Sequence, residues 1–238
     1  MHYRSSLMEF YQVVNKRRSS RKFTQKPIPR DVMVRAFEAA IKAPNSSNMQ
    51  TWDFYWIKNS EKKDLVRKFC LNQSAAREAQ ELVVVIADPA LWRRSNPEVI
   101  KYATEVNAPK LVKTYYQKLI PYTYRWGFLN CFVPLKWILN FFAGLFRPIP
   151  RGPHSRRDLQ ELSIKSAALA CENFVLAIEA EGFSSCMMEG HDEVRIKKLL
   201  NLPSSARTVM VIGVGEPSDR ALWGPQFRLP LEKVLHEI

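Results

Sequence analysis

One segment constrains the fold more than any other. Between Arg156 and Gly182, Leu159, Leu162, Ile164, Ala167, Ala168, Leu169, Ala170, Phe174, Val175, Leu176 and Ile178 recur at helical spacing on most sides of the helix. A helix that is apolar on most sides must be covered on most sides, so it belongs at the centre of a packed structure. Gly182 provides its stop. Two continuous apolar runs, Glu81 to Ala87 (ELVVVIA) and Val209 to Val214 (VMVIGV), lack the polar alternation of a half-exposed strand and read as strands covered on both faces.

The remaining elements fall around these. Ser5 to Lys16 places Leu7, Phe10, Tyr11 and Val14 on one helical face, predicted to pack inward. Asp31 opens a second helix (Val32 to Ile41) that Pro44 stops. Trp52 to Ile57 is a strand, Lys62 to Phe69 a short helix, Phe183 to Met187 a strand, and Asp192 to Leu200 a helix. Pro230 to Ile238 carries no decisive period. The predicted fold is α+β, a single mixed sheet flanked by helices. At 238 residues it forms one domain (1–238) whose middle, about 89–157, fits neither half.

Charge divides the chain unevenly. The net charge is +13, with +6 in residues 1–40, +1 in 41–88, +10 in 89–157 and −4 in 158–238. Such an excess points to an anionic partner: nucleic acid, membrane surface or a phosphate-bearing ligand. Cys70, Cys131, Cys171 and Cys186 form no CxxC or zinc spacing, which reads as a reduced, intracellular protein with no metal site. The first ten residues have no apolar h-region, so no secretory signal is expected.

Three segments carry candidate chemistry. Lys16-Arg17-Arg18-Ser19-Ser20-Arg21-Lys22 puts five cations and two hydroxyls at a helix end. Cations there suit the helix dipole, and they equally suit a phosphate. Ala43 to Trp52 (APNSSNMQTW) is a loop of small amides and hydroxyls, either turn chemistry or a lining for a polar ring. Cys186 to Asp192 (CMMEGHD) ends a strand and opens a helix, where Gly190 lets the backbone approach a ligand.

Taken in order, these segments resemble the FMN-dependent nitroreductase family. Arg17 to Phe23 matches its Arg-Arg-Ser-x-Arg-x-Phe opening. Gln50-Thr51-Trp52-Asp53-Phe54 matches Gln-Pro-Trp-x-Phe, with Thr51 in place of Pro. Glu189-Gly190-His191-Asp192, Ile212-Gly213-Val214-Gly215-Glu216-Pro217 and the closing Arg228-Leu229-Pro230-Leu231-Glu232 follow in register. The match covers roughly 8–88 and 158–238.

The resemblance implies an intertwined homodimer with FMN at the interface and NAD(P)H as electron donor. Arg17 and Arg228 would hold the FMN phosphate, with Arg228 brought by a C-terminal arm that crosses to the partner. Arg18 and Ser19 would support that cluster. Arg21 would lie near N1 and the C2 carbonyl, where reduction places negative charge. Asn45, Ser46 and Asn48 would line the ring and ribityl chain from the partner subunit. Gln73 is the position for a ring-side amide, and Glu189 and Gly190 would offer backbone N–H groups to N5 and O4. No side chain need act as nucleophile, because hydride passes through the flavin in a ping-pong cycle to a quinone, nitroaromatic or enone-type acceptor. The absence of GxGxxG leaves no Rossmann site.

The middle, 89–157, corresponds in place to the family's variable lid. Trp126 to Phe146 carries one charge, Lys136, among Trp126, Phe128, Phe132, Trp137, Phe141, Phe142 and Phe146. Pro134, Asn130 and Asn140 argue against a membrane span. Lid and dimer packing or peripheral contact with a membrane surface both fit. The expected location is cytoplasmic, with membrane association through 126–146 as an alternative. Two alternative functions stand beside this one. Specialised flavin chemistry, such as dehalogenation, flavin fragmentation or biosynthetic dehydrogenation, would keep the fold. Dehalogenation lacks its lid Glu–Tyr pair here, since Glu105 is followed four residues on by Pro109. A non-catalytic membrane- or nucleic-acid-binding relative would hold no flavin, and RNA-type aromatic motifs are absent.

Overall fold

The computed structural model describes residues 9–125 and 131–238. The expectations for Leu7 and for Trp126 to Asn130 lie outside the described residues. Strands β1 (Trp52–Trp56), β2 (Glu81–Ala87), β3 (Ser184–Met188) and β4 (Arg207–Gly215) form a sheet in the order β1-β2-β4-β3. Every adjacent pair is antiparallel. The mixed character expected of the sheet is therefore confined, among the described residues, to one parallel bridge between Ser19 and Ser185.

β2 explains its own sequence. Val83, Val85 and Ala87 face one layer, and Leu82, Val84 and Ile86 the other, so alternate side chains are all buried. The first layer is α2 (Arg30–Ala40) and the long helix α9 (Arg156–Ala180), which contribute Met33, Ala36, Ala170, Phe174 and Ile178. The second is built from α3 (Ser60–Phe69), α4 (Ser74–Glu78) and α10 (Glu193–Leu199). α9 starts at a capping box: Ser155 Oγ accepts from Asp158 N at 3.2 Å, and Asp158 Oδ2 accepts from Ser155 N at 3.1 Å. Gly182 follows the helix at φ +83°, a left-handed conformation suited to glycine.

The middle segment is helical. It comprises α5 (Trp92–Glu105), α6 (Lys110–Thr114), a π-turn over Tyr115–Leu119, α7 (Ile120–Tyr124) and α8 (Phe132–Phe146). Pro109 stands at the N-cap of α6. A third core of Met49, Trp92, Val99, Ile120, Tyr124 and Leu159 joins these helices to the body.

One predicted face is corrected. In α1 (Phe10–Lys16) only Val13 is buried, while Phe10, Tyr11 and Val14 are exposed. Periodicity finds an apolar stripe, but it does not say whether a single chain covers it.

Candidate functional site

Segment 17–24 runs beside segment 216–225, near the β3 and β4 ends. Ser20 N donates to Ser185 O, Arg21 N to Ala221 O, Ser218 N to Lys22 O and Thr24 N to Glu216 O, at 2.9–3.2 Å. The Phe23 ring lies where a Cβ on Gly215 would come within 2.6 Å of it, so that glycine is required for the two segments to meet. Arg18 Nη2 donates to Gly224 O at 3.0 Å and reaches Pro225 O at 3.3 Å. Three residues further, Arg228 arrives at a cleft of about 170 Å³ lined by Arg17, Arg18, Ser19, Arg21, Leu222, Trp223 and Arg228. The structure thus brings together five of the residues singled out in the sequence. Arg228 lines this cleft within its own chain, just beyond the stretch 216–221 whose backbone pairs with 21–24. Leu222 and Trp223 were not foreseen; they belong to no periodic element.

Four guanidinium groups around one cleft repel one another, and few carboxylates offset them. Arg17 Nε lies 3.9 Å from Glu172, and Lys16 Nζ lies 3.9 Å from Glu179. Glu179 is buried and accepts from Ser184 Oγ at 3.4 Å. Burial raises its carboxyl pKa, against smaller opposing pulls from Lys16, Ser184 and Arg17. Burial also pushes the Cys186 thiol up, partly offset by Arg21 beside it. The donor set therefore fits a phosphate dianion, which accepts bidentate arginine contacts.

From this cleft β3 leads to the Glu189–Gly190 turn. Gln73 Nε2 donates to Gly190 O at 2.7 Å and to Cys70 O at 3.1 Å. A Cβ on Gly190 would stand 3.2 Å from that amide nitrogen. Gln73 thus supports the turn, since its N–H donors are taken by two carbonyls. His191 lies between Met188 O (3.2 Å) and Thr208 Oγ1 (2.7 Å), fixing the turn from the other side. Beside it, Ile164, Ala168, Glu189, His191, Thr208 and Met210 line an open cleft of about 350 Å³.

The amide-rich loop sits elsewhere. Asn45 Oδ1 accepts from Gln50 N at 2.8 Å and Asn48 Oδ1 from Gln50 Nε2 at 3.3 Å, so both amide oxygens brace the loop. Ser47, Asn48 and Gln50 take positive φ within this loop. Ser46 N donates to Ser166 Oγ on α9 at 3.4 Å. Ser46 and Ser47 open onto a cavity of about 550 Å³ under α8, with Tyr115, Tyr124, Lys136 and His154. Ser47 Oγ and Tyr115 Oη are 2.6 Å apart. Burial pushes the Tyr124 hydroxyl up to about 12, which keeps it protonated and able to donate.

A model of the Nitroreductase family matches residues 14–216. The chain belongs to the nitroreductase family. Protein DrgA from Synechocystis is 28% identical over 203 residues, covering 83% of this chain and 80% of that protein. An NADH dehydrogenase from Thermus thermophilus is 25% identical over 220 residues, covering 92% and 91%. Among solved structures, a nitroreductase-like protein from Exiguobacterium sibiricum in complex with FMN superposes with a TM-score of 0.72 at 20% identity, covering 97% of this nitroreductase-family chain and 98% of that one. The chain is accordingly an oxidoreductase of this family, and the motif order noted in its sequence reflects that membership.

Proposed function

We propose that this oxidoreductase binds FMN, draws electrons from NAD(P)H and passes them to a small acceptor of the quinone, nitroaromatic or enone type. The observation that carries the reading is the cleft where Arg17, Arg18, Arg21 and Arg228 converge with few carboxylates to offset them. Bound FMN would supply a ring that accepts hydride from the nicotinamide and releases it to the acceptor. Arg17 and Arg228 hold the phosphate, and Arg18 and Ser19 fix the cleft's wall. Arg21 contributes positive charge that favours the reduced, anionic ring. Glu189 and Gly190 offer main-chain N–H groups from a turn that Gln73 and His191 hold in place.

Within one chain, Ser46 and Asn48 open onto different cavities from the arginine cleft. We read this as a site completed by a second copy, in a homodimer. The exposed apolar side chains of α1, Leu169 on α9, and Trp223, Phe227 and Leu229 support that reading. Residues 1–238 form one flavin domain with 89–157 as its lid, over a cavity that Tyr115, Tyr122 and Lys136 line.

The test is optical. The purified protein should carry flavin absorbance near one FMN per chain. Arg228→Ala should weaken FMN retention about 10- to 100-fold, the worth of one charge-assisted contact. A colourless protein that cannot be reconstituted would overturn the proposal, and unchanged FMN affinity in the variant would overturn the clamp.

A further inference from the structure

Helix α8 is built inside out. Lys136, Asn140 and Gly144 lie one turn apart on a stripe that faces the protein. Lys136 is 3% exposed, and its Nζ donates to Thr123 O at 3.0 Å and Arg125 O at 2.6 Å, the carbonyls at the end of α7. Asn140 Nδ2 meets the His154 ring at 3.3 Å. Arg151 Nη2 donates to Gly144 O at 3.0 Å, and a Cβ on Gly144 would collide with that guanidinium. The opposite side presents Leu135, Trp137, Ile138, Phe141, Phe142 and Leu145, each between 45% and 61% exposed. Trp137 and Phe141 stack at 5.6 Å, and Phe141 meets Phe142 edge-on at 5.5 Å. A helix on a water-facing surface carries its apolar stripe on the other side. A contiguous aromatic face of this kind is a surface made to be covered.

The charge around the helix selects what covers it. Residues 106–157 contain nine Lys and Arg and no Asp or Glu. A second copy laid against this face would bring nine cations against nine. Nucleic acid would satisfy the cations and leave the aromatic face in water. An anionic bilayer surface answers both at once: aromatic and aliphatic side chains enter the acyl boundary while cations meet lipid phosphates. The helix has 15 residues, about 22 Å, against about 30 Å of hydrocarbon, so it lies in the surface plane. Among the described residues no helix is long and apolar enough to cross a membrane.

We propose that α8 docks this protein on anionic lipid surfaces, with Arg147 at its C-terminal end and Arg125 at the end of α7 holding headgroups. The proposal does not depend on the flavin reading. It is tested by flotation of the intact protein with vesicles of phosphatidylcholine containing about one-third phosphatidylglycerol, against pure phosphatidylcholine. The protein should float with the anionic vesicles, less so as salt is raised. The triple substitution Trp137→Ser, Phe141→Ser, Phe142→Ser should lower binding at least about tenfold. Arg125→Gln with Lys118→Gln and Arg147→Gln should abolish the preference for anionic vesicles. Absence of flotation, or flotation unchanged in either variant, overturns the proposal. So does a triple variant that loses oligomeric mass in solution while the parent protein ignores vesicles, since α8 would then be an interface between copies.

Discussion

In α9, Phe174 and Ile178 point at the sheet, while Glu161 and Lys165 pair on the outer side. In α8 the order is reversed, with Lys136 and Asn140 inward and Trp137, Phe141 and Phe142 outward. Both helices are rich in apolar residues, and each buries one charged group, Glu179 in α9 and Lys136 in α8. The difference teaches that apolar content says a helix needs cover, and the placement of its few polar groups says where the cover must come from. α9 takes it from the sheet. α8 spends its polar groups on its own protein and leaves its apolar side to another medium.

Substitutions that exchange the two environments would break this contrast. The largest effect is expected in α9. Phe174→Ala removes a fully buried ring 5.0 Å from Phe37 and should cost about 3–5 kcal/mol in denaturant unfolding. The chemically identical Phe142→Ala in α8 should stay within about 0.5 kcal/mol in the absence of lipid. Similar losses at both positions would mean that α8 is covered within the free protein.

Lys136→Met comes next. It strips two carbonyls of their donor, and should cost about 1–3 kcal/mol locally. Hydrogen exchange should quicken in 120–146 and stay slow in α9; uniform quickening would show that the lid and body unfold as one.

The smallest effect concerns pH. Glu179 has its folded pKa raised by burial, so its contribution is fully present below the usual 4.5 and is lost as pH rises through the raised value. Glu179→Gln should flatten that part of the stability–pH curve and leave the variant relatively more stable at neutral pH. An unaltered curve would mean that Lys16 and Arg17 already compensate the buried charge.

The body of the fold was legible because its signals are local. The ELVVVIA run gives β2 at its observed bounds, since a strand covered on both faces needs no alternation. Asp192 caps α10 by accepting from Arg195 N at 3.0 Å, as its position before a helix suggests. The arginine cleft was legible only through motif order, because Arg17 and Arg228 meet through backbone pairing that no periodicity encodes. The part Gln73 plays in the turn was not legible, because an amide near a predicted site serves equally as a donor to ligand or to backbone, and here Cys70 O and Gly190 O take its N–H groups. The α1 stripe and the α8 face share one reason. Hydrophobic spacing reports a surface to be buried without reporting whether the same chain buries it.

The pairing of 17–24 with 216–225 has a consequence for synthesis. A ribosome adds about 5–20 residues per second, so the first arginines emerge some 10–40 s before the last one that lines the same cleft. Through that interval α9 and β2 can collapse together, while the cationic opening segment has no partner strand. A nascent chain halted before residue 216 would have the sheet centre without the cleft. Anion capture would therefore be among the final events in making this molecule, and a chain stalled short of Arg228 would be folded in its middle and empty of function at its edge.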